Sequence, residues 1–281
     1  MSATPETTTE STQPVSHEPT IFAEPIFHVG RLTITNSLLM SWVTVFVLVA
    51  FFVTIGKRLK SVPGKLQVIF EILLEEALKL GDTITGERHK TEKLLPIVLA
   101  LFLFVLINNW LGLLPGVGTI GWNEAGPEGQ VFVPLLRGAT ADLNTTLAIS
   151  LFAVIMSHIL GVVSLGVWHH LNKFLNFSIL AEIPKKMFKE PIVIVVNPIK
   201  FFVGLVETIG EVAKIASLSF RLFGNIFAGE VLLASMMAIF AYFLPLPFMF
   251  LEIIVGLVQA LVFSILTLAF MSMATASHDE H

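Results

Sequence analysis

Five apolar runs of membrane length set the limits on what this chain can fold into. They span about Ser37 to Ile55, Leu94 to Leu114, Leu143 to Trp168, Pro191 to Phe243 and Phe248 to Met273. Hydrocarbon offers no partner for backbone N–H and C=O groups, so a spanning segment must be a helix or part of a closed barrel. A spanning helix needs about 20 apolar residues, a strand only about 10. The runs are therefore helical, and the expected fold is an all-α polytopic membrane protein. Composition agrees: 14% of the 281 residues are charged, against about 25% in soluble domains.

The fourth run is the unusual one. After Pro198 it holds no proline, and a helix from Pro198 to Ala241 would be roughly 60 Å long, about twice the hydrocarbon thickness. It must be steeply tilted, lie across the bundle, or break. The last run then folds back on it after Leu244-Pro245-Leu246-Pro247, giving an antiparallel hairpin of long tilted helices. Ahead of the second run, Leu66, Ile69, Phe70, Leu73, Leu74, Ala77 and Leu78 recur at helical spacing between Glu71, Glu75, Glu76 and Lys79. That pattern predicts an amphipathic surface helix over about 65–80.

Residues 1–20 are polar and lack Lys and Arg. They match neither a signal nor a transit peptide and are read as a disordered tail. Residues 21–281 are read as one membrane-embedded domain. Of 17 Lys and Arg, eight lie in 57–93 and five in 169–200, while the opposite side has only Arg31 and Arg137. The excess of basic residues marks the cytoplasmic side, which places the N-terminus outside and the C-terminus inside. The net charge of −4 gives nucleic-acid binding no electrostatic support. Without cysteine, disulfides, thiolate catalysis and Cys-ligated metals are excluded. Neither a cofactor nor a metal is expected.

Polar residues inside the long run carry the functional signal. An arginine at bilayer depth costs at least about 2.5–3.5 kcal/mol and is a functional candidate by default. Arg221 is such a residue. At about 100° per residue, Asn225 and Lys214 share its face, and Glu230 lies nearly opposite. One register of the hairpin levels Glu230 with Glu252 and Arg221 with Gln259. Two neighbouring carboxyls in a poor solvent do not both ionise, so this register predicts a proton-sharing pair. Asn108, Asn109 and Asn144 read as interhelical hydrogen-bonding groups, His158 as a packed or bonded histidine, and Glu211 and Lys214 as headgroup-level residues. A secondary transporter would call for inverted repeats or paired broken helices, which are not apparent. A purely structural anchor leaves Arg221, Glu230, Glu252 and Gln259 without a purpose. An intramembrane hydrolase lacks a clear nucleophile arrangement.

The stretch Ser217-Leu-Ser-Phe-Arg-Leu-Phe-Gly-Asn-Ile-Phe-Ala-Gly-Glu230 closely resembles the signature of subunit a of bacterial F-type ATP synthases. Leu114-Pro115, Thr140 to Thr146 and Val258-Gln259-Ala260 add to the resemblance. It implies a membrane stator beside a rotating ring of c subunits, with two offset aqueous half-channels. Arg221 matches the arginine that meets the rotor carboxylate and blocks leakage between them. Asn225, Glu230, Glu252 and Gln259 match the outer half-channel, and Glu207 and Ser217 the cytoplasmic one. Some relatives carry histidine at the position of Glu252; here both outer residues are acidic. The implied partners are the c-ring, the b subunits of the peripheral stalk, the rest of the F1Fo complex and the lipid bilayer. ATP chemistry would belong to other subunits. The implied location is the bacterial plasma membrane, with H+ and Na+ both open as the coupling ion.

Overall fold

The computed structural model describes residues 20–58, 60, 64–126, 129–168, 193–241 and 243–276. Residues 1–19 of the expected tail at 1–20, the basic connection at 169–192 and the C-terminal residues 277–281 lie outside them. Among the described residues six α-helices run in order: α1 Asn36–Arg58, α2 Lys65–Thr85, α3 Arg88–Gly112, α4 Leu143–Leu165, α5 Val193–Ile239 and α6 Pro245–Thr275. Five are long and apolar enough to cross a membrane, and α2 is not among them. The all-α polytopic architecture is the one expected.

Helix α6 is the hub, packing on α3, α4 and α5. Its residues Ala260 and Phe263 meet Leu101, Val105, Leu106, Ala153, Leu218 and Leu222 in the main buried cluster. Between helices in lipid there is no hydrophobic drive, since acyl tails are as apolar as leucine. Close packing and interhelical hydrogen bonds hold such bundles, at about 0.6–2 kcal/mol per bond. Several such bonds are present. The Thr44 hydroxyl donates to Asn108 Oδ1 (3.0 Å). Asn109 Nδ2 donates to the Gly256 carbonyl (3.0 Å), and its Oδ1 accepts from Thr140 (2.6 Å). Thr146 and Ser219 share a bond of 3.2 Å. Asn108 and Asn109 thus take the interhelical role expected of them, whereas Asn144 is exposed and its side chain makes no such bond.

Two β-hairpins differ from expectation. Residues 21–35 precede the first apolar run and 117–142 separate the second from the third, stretches where the sequence predicts no regular element. Instead, β1 Pro25–Val29 pairs antiparallel with β2 Leu32–Thr35, and β3 Gly121–Gly126 with β4 Gly129–Pro134. Gly30, at φ 63°, supplies the left-handed residue that a two-residue hairpin turn demands. Both hairpins sit at the end of the bundle where α1 and α4 begin. Asp142 closes this end. Its carboxylate caps α4 by accepting from the N–H groups of Asn144 and Thr145. It also accepts from Ser37 Oγ (3.1 Å) and the Ala23 N–H (3.2 Å), tying the N-terminal segment to the bundle.

At the other end, Glu75, Glu76 and Lys79 of α2 form exposed ion pairs. They are the wet face of the amphipathic helix, as read from the sequence.

Candidate functional site: a polar path along α5 and α6

Helix α5 is 47 residues long, or roughly 70 Å at 1.5 Å per residue, more than twice the hydrocarbon thickness. Over its apolar window only 11% is buried within the chain, against 39% for α6. Leu218 and Leu222 turn inward to the core. Arg221 stands at the edge of that buried face, about 60–100° round the helix from the two leucines, where the uncovered side begins. Its side chain is exposed and has no ion-pair or hydrogen-bond partner among the described residues. Gly224, three residues on, has open space where a Cβ would project. Phe220 beside it is 61% exposed. A cation thus stands on an apolar, thinly covered surface with nothing among the described residues to balance it.

Asn225 lies one turn beyond Arg221. Its Nδ2 donates to Gln259 Oε1 at 2.6 Å. The hairpin register therefore levels Gln259 with Asn225, one turn from the expected Arg221–Gln259 level. Gln259 is buried, and its Nε2 has no partner among the described residues.

The next layer toward the hairpin end holds the two carboxyls. Glu252 is buried against the backbone of α5: a Cβ added to Gly229 would run into its carboxylate. Its Oε1 has no hydrogen-bond partner among the described residues. Glu230 is level with it but makes no hydrogen bond to it. The expected proton-sharing pair is not formed, because Glu230 is already taken. Arg137, just ahead of α4, donates Nη2 to Glu230 Oε2 at 2.7 Å and Nε to Oε1 at 3.0 Å. The Arg137 side chain is 5% exposed. Its remaining donors reach the Thr20 hydroxyl (3.1 Å) and the carbonyls of Thr20 (2.7 Å) and Phe22 (3.4 Å). A fork of fixed donors suits a bidentate carboxylate. Sequence reasoning missed this residue. The available signal was that Arg137 is one of two basic residues on the poorly charged side and directly precedes a span.

A cavity of about 340 Å³ lies beside this pair, lined by Asn108, Asn109, Arg137, Thr140, Glu230 and Glu252 among others. It has room for on the order of ten waters, and its polar groups give them partners.

Toward the opposite end of α5, Lys214 Nζ donates to Glu211 Oε1 at 2.7 Å, and His158 Nε2 lies 3.5 Å from Glu211 Oε2. Lys214 also sits 5.0 Å from the centre of the Phe270 ring, within cation–π range. His158 is therefore bonded rather than merely packed, and Glu211 and Lys214 face α4 and α6 as well as the helix end. Glu207 is one turn further out, and Ser217 is exposed one turn before Arg221. Along α5 the polar residues 207, 211, 214, 217, 221 and 225 follow helical spacing on one side, and Glu230 stands on the other.

Fold and site together define an integral membrane protein with ionisable side chains strung across the bilayer depth. The family follows from comparison with known proteins. The family model described as ATP synthase A chain matches residues 38–272. The chain is 30% identical over 267 residues to ATP synthase subunit a of Desulforamulus reducens, covering 91% of this chain and 85% of that one. It is 30% identical to the protein of the same name in Gloeobacter violaceus, covering 91% and 90% of the two chains. For Mycobacterium tuberculosis the identity is 31%, covering 84% of each chain. This chain belongs to the ATP synthase A chain family.

Proposed function

We propose that the chain is the membrane stator of a rotary ATP synthase, carrying protons to and from the carboxylates of a ring of c subunits. The observation that carries this reading is Arg221: exposed, without a partner among the described residues, at the edge of the uncovered side of a helix too long to stand upright. A cation at that depth is stabilised by an anion, and a rotor carboxylate supplies one. Arg221, Gly224, Asn225 and Ala228 share one face, and the small residues let a partner helix approach closely.

The mechanism follows from that placement. A rotor carboxylate level with Arg221 is favoured as an anion, so its proton leaves. Away from the cation, hydrocarbon favours the neutral acid, which can travel through lipid. Protons enter from the outer side through the cavity at Glu230 and Glu252, passing the Asn225–Gln259 level. They exit past Ser217 toward Glu207 and the cytoplasm. The offset along α5 keeps the two paths apart, with Arg221 between them. The outer side is the hairpin end, and the C-terminus is cytoplasmic. The b subunits and the F1 portion complete the assembly, and ATP chemistry is theirs.

The test is Arg221→Ala in the assembled complex. ATP-driven proton pumping into membrane vesicles is expected to fall below detection while the complex remains intact. Pumping at the wild-type rate in an assembled mutant would refute the role.

A further inference from the structure

We propose that Arg137 is a positioning residue for the outer proton path, acting through Glu230, and that it leaves Glu252 as the carboxyl that passes the proton. The inference rests on the reading above that protons cross at this cavity. The two acids line the same cavity, yet their environments differ. Glu230 is held at both oxygens by Arg137, whose guanidinium is fixed in turn by Thr20 and Phe22. Among the described residues, Glu252 has no cation paired with it and one oxygen without a partner. It lies on α6, two helical turns from Gln259, whose amide nitrogen is also unpartnered.

A proton from cavity water attaches to a Glu252 oxygen. It then leaves past Gln259 toward a rotor carboxylate that has moved off Arg221, and Glu252 returns to its starting form. Glu230 neither gains nor loses a proton in the cycle; it is a fixed wall. Without Arg137, Glu230 is released to share a proton with Glu252 and trap it there.

Passive proton conductance of F1-stripped vesicles tests this. Glu252→Gln is expected to lower conductance at least tenfold. Glu230→Gln, which keeps an acceptor for Arg137, costs only a few-fold. Arg137→Gln is expected to fall about tenfold, and adding Glu230→Gln restores it to the level of Glu230→Gln alone. Such a rescue is not the behaviour of a residue needed only for folding. Arg137→Lys keeps the charge but not the two-point contact. It falls several-fold and is rescued in the same way, and it decides the matter if Arg137→Gln does not assemble. Wild-type conductance in an assembled Arg137 variant, or no rescue by Glu230→Gln, would overturn the proposal. Wild-type conductance in Glu252→Gln would instead sink the outer path itself.

Discussion

Arg221, Glu230 and Glu252 illustrate how differently one bundle can treat a charge. Arg221 is exposed with no partner among the described residues, Glu230 is clamped by Arg137, and Glu252 is pressed against a glycine. From the sequence, the type and helical phase of these residues were legible, because an ionisable group in an apolar run stands out and 100° per residue fixes its face. Their pairing was not. Glu230 was assigned to Glu252 by level alone, whereas its partner comes from 93 positions earlier in the chain, a separation that periodicity does not reach. Gly229 is the residue whose absent side chain makes room for Glu252. Gly229→Ala should displace that carboxylate and slow passive proton conductance several-fold in an assembled complex. An unchanged rate would mean that Glu252 does not need this position.

Among the elements, the helices were legible and the hairpins were not. Residues 65–80 announced α2 through a 3.6-residue period, and the observed helix runs Lys65–Thr85. The span expected from Leu143 ends at Leu165, close to where Gly166 takes a left-handed backbone angle. In contrast, β1 is only five residues and β2 four. Strands that short, in a mixed aromatic stretch, carry too few alternations to be distinguished from loop. The Gly-rich composition of 117–142 likewise hid β3 and β4. These hairpins give the orientation a direct handle. Trp122 on β3 is 39% exposed. A single cysteine there is expected to react with a membrane-impermeant maleimide added to intact cells, while one at Lys90, near the start of α3, reacts only after permeabilisation. The reverse pattern would invert the proposed topology.

At the scale of the whole molecule, one geometric fact organises the rest. A 47-residue helix of roughly 70 Å cannot stand upright in about 30 Å of hydrocarbon. Tilted, it presents residues at many depths along one uncovered face while α6 supports the other. Its length and the hairpin with α6 were readable from the absence of proline after Pro198 and from the Leu244–Pro247 turn, although the helix begins before that proline, at Val193. The exact level was not, because side-chain reach decided it: Asn225, not Arg221, engages Gln259. What the open face meets is the central claim, and disulfide crosslinking tests it most directly. The chain contains no cysteine, so Asn225→Cys is a unique thiol. In the assembled complex it should crosslink to a cysteine placed beside the ion-binding carboxylate on the rotor helix. An assembled complex in which that pair never crosslinks under oxidation would contradict the account.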